Sequence, residues 1–281
     1  MLTWLRMLVI AVAATFVFWT IVLMVFEEKF IYFPERYPHG PYSQAHSIPN
    51  LRDCWVTTKD GLKLHGWFAP ADGASATLIL SHGNGGNISY QYLLMRSLLR
   101  RKFNVLMYDY RGYGRSEGTP TESGIYMDSQ AVFDYAVKLP EVDSQRVFLW
   151  GTSLGGAVAI DLATQRRTAG LILESTFTSA KDVARLLYPF FPVGPFLRNK
   201  FNSIDKIRTL TVPILFIHGT HDTILPIRLG RELYFAANAP KEFCEIPGAG
   251  HNDTFVVGGE EYFGRIERFT ARSLSDTPIV Q

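Results

Sequence analysis

The chain opens on its longest apolar run. Met7 to Phe26 (MLVIAVAATFVFWTIVLMVF) holds no charge, proline or glycine, and its hydroxyl side chains, Thr15 and Thr20, can bond back to carbonyls of their own helix. A helix of this length rises roughly 30 Å, the thickness of a bilayer's hydrocarbon core. Trp4 on one flank and Phe30, Tyr32 and Phe33 on the other are the aromatic residues that favour membrane interfaces. A cleaved signal peptide would have a shorter apolar region with small residues just before a cleavage site. Here Ala11, Ala13 and Ala14 fall too early, and Ile21 to Phe33 offers none. The pattern predicts an uncleaved single-pass anchor over residues 1–33, spanning about 7–26. Arg6 and the amino terminus before the span nearly balance Lys29 and Arg36 after it, so charge leaves open which side the rest of the chain faces.

Beyond the anchor the pattern changes to short apolar runs at long intervals. Cys54 to Phe68 alternates as a hairpin, CWVTT then LKLHGWF, turned at Lys59-Asp60-Gly61. TLILS (77–81), NVLMYD (104–109), RVFLW (146–150), GLILE (170–174), PILFIH (213–218) and EFCEI (242–246) follow. The runs from Thr77 to His218 are nearly all apolar, as in parallel strands covered on both faces. Between them lie stretches with helical spacing, such as Ile125-Asp128-Val132-Tyr135-Ala136. Strand alternating with helix predicts an α/β layered sheet over a single domain, residues 34–281.

Composition narrows the chemistry. With 281 residues, 47% hydrophobic and 19% charged, the chain is neither disordered nor of low complexity. Its 28 basic and 26 acidic residues are too balanced for the basic face of a nucleic-acid binder. The two cysteines, Cys54 and Cys244, form no CxxC and no zinc-ligand spacing, so neither metal nor redox chemistry is expected.

The sharpest signal follows the RVFLW run. Gly151-Thr152-Ser153-Leu154-Gly155 reads G-x-S-x-G, with a strand before it and a helical stretch (LGGAVAIDLATQRR) after. So tight a turn needs glycine at 151 and 155 and lifts the Ser153 hydroxyl above the sheet edge, at a helix amino end. A serine alcohol needs a general base, and the base needs an orienting carboxylate. Asp222, just beyond PILFIH, and His251, after EFCEI, supply both at the carboxyl ends of strands, where loops of an open sheet converge. Glu174, at the end of LILE, is the rival acid. His82, His218 and His221 read first as local hydrogen-bonding residues.

These motifs, with Ser81-His82-Gly83-Asn84-Gly85-Gly86-Asn87, the Tyr108–Ser116 stretch YDYRGYGRS, GTHDTILP and GAGHND, resemble an α/β-hydrolase-fold serine hydrolase over roughly residues 50–270. With one amino-terminal anchor, the whole resembles the membrane-anchored branch that includes protein depalmitoylases. The resemblance implies a mostly parallel eight-stranded sheet with helices on both faces and a short lid insertion, about 178–212. It implies catalytic Ser153, Asp222 and His251, and an oxyanion hole made by the backbone N–H groups of Asn84 and Leu154. It implies that Asp109 and Arg111 order the loop beneath that hole. It also sets Cys54 and Cys244 on opposite sides of the sheet, too far apart for a disulfide. The lid stretch Leu186–Leu197 (LLYPFFPVGPFL) reads either as core or as an apolar wall in which Tyr188, Phe190, Phe191 and Phe196 bind substrate. The expected function is hydrolysis of carboxylic esters or thioesters, on a small or lipid-like acyl substrate or an acylated protein, without a cofactor. A peptidase or amidase of the same fold, or an anchored scaffold without activity, are the alternatives.

Overall fold

Each of the apolar runs becomes a strand of one sheet. In the computed structural model, which describes residues 2–191, 193–238 and 240–275, the strands are β1 (Arg52–Thr57), β2 (Lys63–Ala69), β3 (Ala76–Ser81), β4 (Phe103–Tyr108), β5 (Val147–Thr152), β6 (Gly170–Glu174), β7 (Ile214–Gly219) and β8 (Lys241–Ile246). Residue 1 of the expected anchor, residue 192 of the lid stretch, and residues 239 and 276–281 of the expected domain lie outside the described residues. The strands lie in the order β8-β7-β6-β5-β3-β4-β2-β1. The last six in sequence, β3 to β8, pair in parallel, and β2 runs antiparallel to both its neighbours. Cys54 and Cys244 are free thiols in the strands at opposite edges.

Alternation along each strand sends side chains to two separate cores. Ile79, Leu106, Leu149, Leu171 and Phe216 pack under α4 (Glu122–Ala136), α5 (Leu154–Ala163) and α8 (Ile227–Ala236). Leu78, Leu80, Val105, Trp150 and Leu215 pack under α3 (Tyr92–Arg100) and α9 (Thr254–Ser275). This three-layer build is why the central strands carry no polar face. Between β6 and β7 the chain inserts α6 (Ala180–Leu187), a 3-10 turn at Gly194–Phe196, and α7 (Ser203–Ile207).

Ahead of the sheet, α1 (Leu2–Val25) is a 24-residue apolar helix, the one helix among the described residues long and apolar enough to cross a membrane. The segment after it does not hang free. Helix α2 (Glu27–Ile31) buries Glu27, whose carboxylate accepts from the Asn199 backbone (2.7 Å), the Asn199 side chain (2.9 Å) and the Arg198 backbone (3.0 Å). Phe33–Pro34 then pairs in parallel with Gly85–Gly86. The domain's hydrogen bonds therefore extend across residue 34 as far back as Glu27, because a buried carboxylate must find donors.

Backbone meets backbone closely between β5, β3 and α5. A Cβ at Gly155 would sit 1.9 Å from the Ser81 carbonyl oxygen, whereas one at Gly85 would meet nothing within 4 Å. Gly155→Ala should therefore lower the thermal midpoint of the full chain by about 5–10 °C, from about 2–3 kcal/mol of overpacking. Gly85→Ala should stay within about 2 °C of wild type, since surface changes of this kind are worth under about 0.5 kcal/mol. Near-ultraviolet circular dichroism in detergent reads both, and equal midpoints would contradict the close packing.

Candidate active site

Ser153 sits between β5 and α5 with φ 54° and ψ −117°, a backbone conformation that side chains rarely adopt. The surroundings hold it there. Its N–H donates to the Glu174 carbonyl (2.9 Å), and its own carbonyl accepts from Gly156 N–H (3.0 Å) and the Thr176 hydroxyl (2.8 Å). Gly151 and Gly155 leave no room for side chains, since a Cβ at Gly151 would lie 2.1 Å from the Gly155 oxygen. The serine is buried to all but 8% of its surface and lines a cavity of about 640 Å³.

His251 lines the same cavity and donates from Nδ1 to Asp222 Oδ2 at 2.7 Å. The carboxylate's other oxygen accepts from the N–H groups of Ile224 (3.0 Å) and Leu225 (2.8 Å), so its plane is fixed. His218 Nε2, which donates to the Leu225 carbonyl, also lies 3.3 Å from Asp222 Oδ2. Burial pushes the Asp222 carboxyl up, but the hydrogen bonds from His218 and His251 outweigh it and hold the group well below the usual carboxylate range. A depressed carboxyl contributes stability above its unfolded pKa, near about 3.9, and that contribution is lost as pH falls below it. With Nδ1 committed to Asp222, the Nε2 of a neutral His251 carries the free lone pair.

Glu174 takes another part. Its buried carboxylate accepts from Trp150 Nε1 (3.1 Å), the Thr152 hydroxyl (3.2 Å), the Tyr262 hydroxyl (3.0 Å) and the Thr254 hydroxyl, and it makes no bond to His251. It ties the strand leading into Ser153 to the helix that begins just after His251.

The Ser81–Asn87 loop reaches the cavity from the other side through Gly83, Asn84, Gly85 and Gly86. His82 Nδ1 lies 2.7 Å from the Gly83 carbonyl oxygen. A carbonyl only accepts, and burial pushes the imidazole's pKa down, so the neutral ring carries its proton on Nδ1. That bond fixes one edge of the Gly83–Asn84 peptide, whose trans geometry turns the Asn84 N–H the opposite way. Among the described residues that N–H has no hydrogen-bond acceptor. The Leu154 N–H opens α5 and has none within its helix.

Asn84 itself is held by three contacts that no motif signals. Its side chain donates to the Ile31 carbonyl (2.8 Å), and its carbonyl accepts from Phe33 N–H (2.8 Å) and the Tyr113 hydroxyl (2.7 Å). Tyr110 donates to the His82 carbonyl (2.7 Å). Burial pushes both phenols up, so both remain protonated donors. Asp109 accepts from Ile88 N–H (2.8 Å) beneath the loop, as expected. Arg111 instead faces Asp128 and Asp60, at 2.7 and 2.9 Å, away from the loop. Tyr110 and Tyr113, two of the three tyrosines of YDYRGYG, do the work expected of the arginine. A buried phenol needs an acceptor, but the sequence does not say which one.

The lid stretch divides. Tyr188 and Leu197 line the cavity with Phe177, Val183, Leu187 and Phe201, opposite Leu23, Phe30 and Ile31 of the amino-terminal segment. Phe190 and Phe196, 83% and 57% exposed, are not among the lining residues. Phe191 also stays outside and stacks on Phe16 of α1, ring centroids 5.3 Å apart. Pro189 precedes this outward turn, and its ring restricts how the chain can fold back toward the cavity.

A doubly covered, mostly parallel sheet with a strained G-x-S-x-G turn at its carboxyl edge defines an α/β hydrolase, and this chain belongs to that family. The profile described as "Serine aminopeptidase, S33" matches residues 72–199. The chain is 34% identical to WAV2 of Arabidopsis thaliana, an α/β hydrolase domain-containing protein, over 268 residues, 86% of each chain. It is 31% identical to bem46 of Schizosaccharomyces pombe over 268 residues, 89% of this chain and 88% of that one. An esterase from Pyrococcus furiosus has a similar structure, with a TM-score of 0.71 and 26% identity over 86% of this chain and 99% of that one.

The geometry separates the two acids by experiment. Asp222→Asn should lower kcat on p-nitrophenyl butyrate on the order of ten-thousand-fold, through the wrong histidine tautomer. Glu174→Gln keeps the carboxamide oxygen for its donors and should cost no more than about tenfold, with its main effect on thermal stability. A larger kcat loss for Glu174→Gln would move the acid to β6.

Proposed function

We propose that the chain is a membrane-anchored serine hydrolase that cleaves carboxylic ester or thioester bonds of acyl substrates through an acyl-enzyme. One observation carries this reading: the Asp222–His251 pair and the strained Ser153 share a cavity walled by apolar side chains. In this mechanism Ser153 Oγ attacks the acyl carbonyl while His251 Nε2 takes its proton. The N–H groups of Asn84 and Leu154 hold the oxyanion, which exists only in the tetrahedral state, a contribution of about 3–4 kcal/mol per donor in measured cases. His251 then returns the proton to the leaving alcohol or thiol as the C–O or C–S bond breaks. Water, deprotonated by the same histidine, releases the acid and restores Ser153.

The apolar wall supports an acyl chain, from a small or lipid-like ester or an acylated protein, in preference to a charged or sugar-like group. The integration of residues 27–35 into the site supports α1 as a retained anchor and the rest of the chain as its catalytic domain. The similarity to an esterase fits ester cleavage. The aminopeptidase profile favours a second reading, a peptidase or amidase using the same triad. The two separate by rate. For the full chain in detergent, kcat/KM should rise from acetyl to octanoyl p-nitrophenyl esters by about tenfold per two methylenes buried, at about 0.8 kcal/mol each. A profile that falls with chain length, or faster turnover of aminoacyl p-nitroanilides, would favour the peptidase.

A further inference from the structure

We infer that the lid tip around Phe190, Phe191 and Phe196 is a second membrane-docking face, inserted into the same leaflet that α1 enters, so that the cavity opens onto the acyl chains of the bilayer. The inference rests on reading α1 as a membrane span. Phe191 stacks on Phe16, ring planes 10° from parallel. Phe16 lies about two and a half turns before the end of α1 at Val25, roughly 13 Å along its axis. A side chain packed against that level of a spanning helix is itself below the bilayer surface. Phe30 repeats the contact nearer the interface, edge-on to Tyr188 at 6.3 Å.

The tip is built for a solvent without hydrogen bonds. Leu186–Leu197 contains no charged residue, and exposed Arg185 and Arg198 bracket it, paired with Asp182 and with Glu27 and Glu28. Unpaired backbone N–H groups are costly in hydrocarbon. Pro189 and Pro195 have none, and those of Tyr188, Phe191, Val193 and Phe196 donate to carbonyls within residues 184–193. In water, by contrast, Phe190 and Phe196 would leave 83% and 57% of their surfaces exposed. An apolar tip with charged groups only at its borders is the pattern of an interfacial segment, the ion pairs set at headgroup level. The occupant is therefore lipid. Leu23 of α1 and Tyr188 of the lid both line the cavity, so its wall is shared by the span and the lid.

Fluorophore depth in vesicles tests this on the full chain. Cys54 and Cys244 are buried, so a single exposed cysteine takes an environment-sensitive NBD label over the wild-type background. Phe190→Cys probes the lid and Ile10→Cys the span. Lys138→Cys probes the exposed position after α4, at the opposite end of the sheet from the cavity. Each is reconstituted into phosphatidylcholine vesicles with and without doxyl-labelled lipid, and retention of the wild-type thermal midpoint confirms folding. The inference predicts that doxyl lipid quenches the label at 190 to the same extent as at 10 and leaves 138 unchanged. Quenching at 10 but not at 190, with iodide reaching 190 from water, would overturn it while leaving the anchor intact. No quenching at 10 would remove the anchor reading and this inference with it.

Discussion

The contact on which the rest depends is the approach of α5 to the sheet at Gly151 and Gly155. Backbone atoms lie where side chains would be, against the Ser81 and Gly155 carbonyls. Only that closeness lets the chain reverse from β5 into α5 within one residue, and the reversal places Ser153 in a positive-φ conformation. The strain is held by the sheet, because the serine's N–H bonds to Glu174 on the neighbouring strand and its carbonyl to Thr176 just beyond. A hydroxyl so placed stands at a helix amino end, beside an N–H with no intrahelical partner. A tetrahedral oxyanion needs that environment, and a ground-state ester does not fill it.

A second constraint works from outside the sheet. The segment between the apolar helix and β1 is threaded into the site: Glu27 is buried against the lid's Asn199, and Ile31 and Phe33 hold Asn84 from two directions. Tyr32 adds a bond to the Asn199 side chain at 2.8 Å, and Asn199 also accepts from the Glu122 backbone. The stretch between β6 and β7, the Ser81–Asn87 loop and the segment after α1 thus share one buried network. Its members depend on one another, since removing any one leaves a buried polar group unpaired.

The sheet was readable from sequence because strands buried on both faces must be apolar throughout, and TLILS, RVFLW and PILFIH have no other comfortable place. The tight G-x-S-x-G turn was readable because its glycines are forced by contact. Asp222 and His251 were readable because each follows directly on a strand end. Legibility stopped where a role depends on a partner distant in sequence. Nothing in Tyr113 signals that its hydroxyl meets Asn84, and nothing in Glu27 announces Asn199, 172 residues away. The lid phenylalanines show the same limit. Their apolar character was plain, but Phe191 faces outward onto Phe16 of α1, a contact with a partner 175 residues away that periodicity does not carry.

The central claim is that the hydroxyl on this strained turn is the one activated nucleophile. Intact-mass and peptide mass spectrometry of the full chain after reaction with a fluorophosphonate tests it most directly. The account predicts a single adduct on the peptide containing Ser153, absent in Ser153→Ala although that variant keeps its thermal midpoint. An adduct on another residue, or undiminished labelling of the alanine variant, would contradict it.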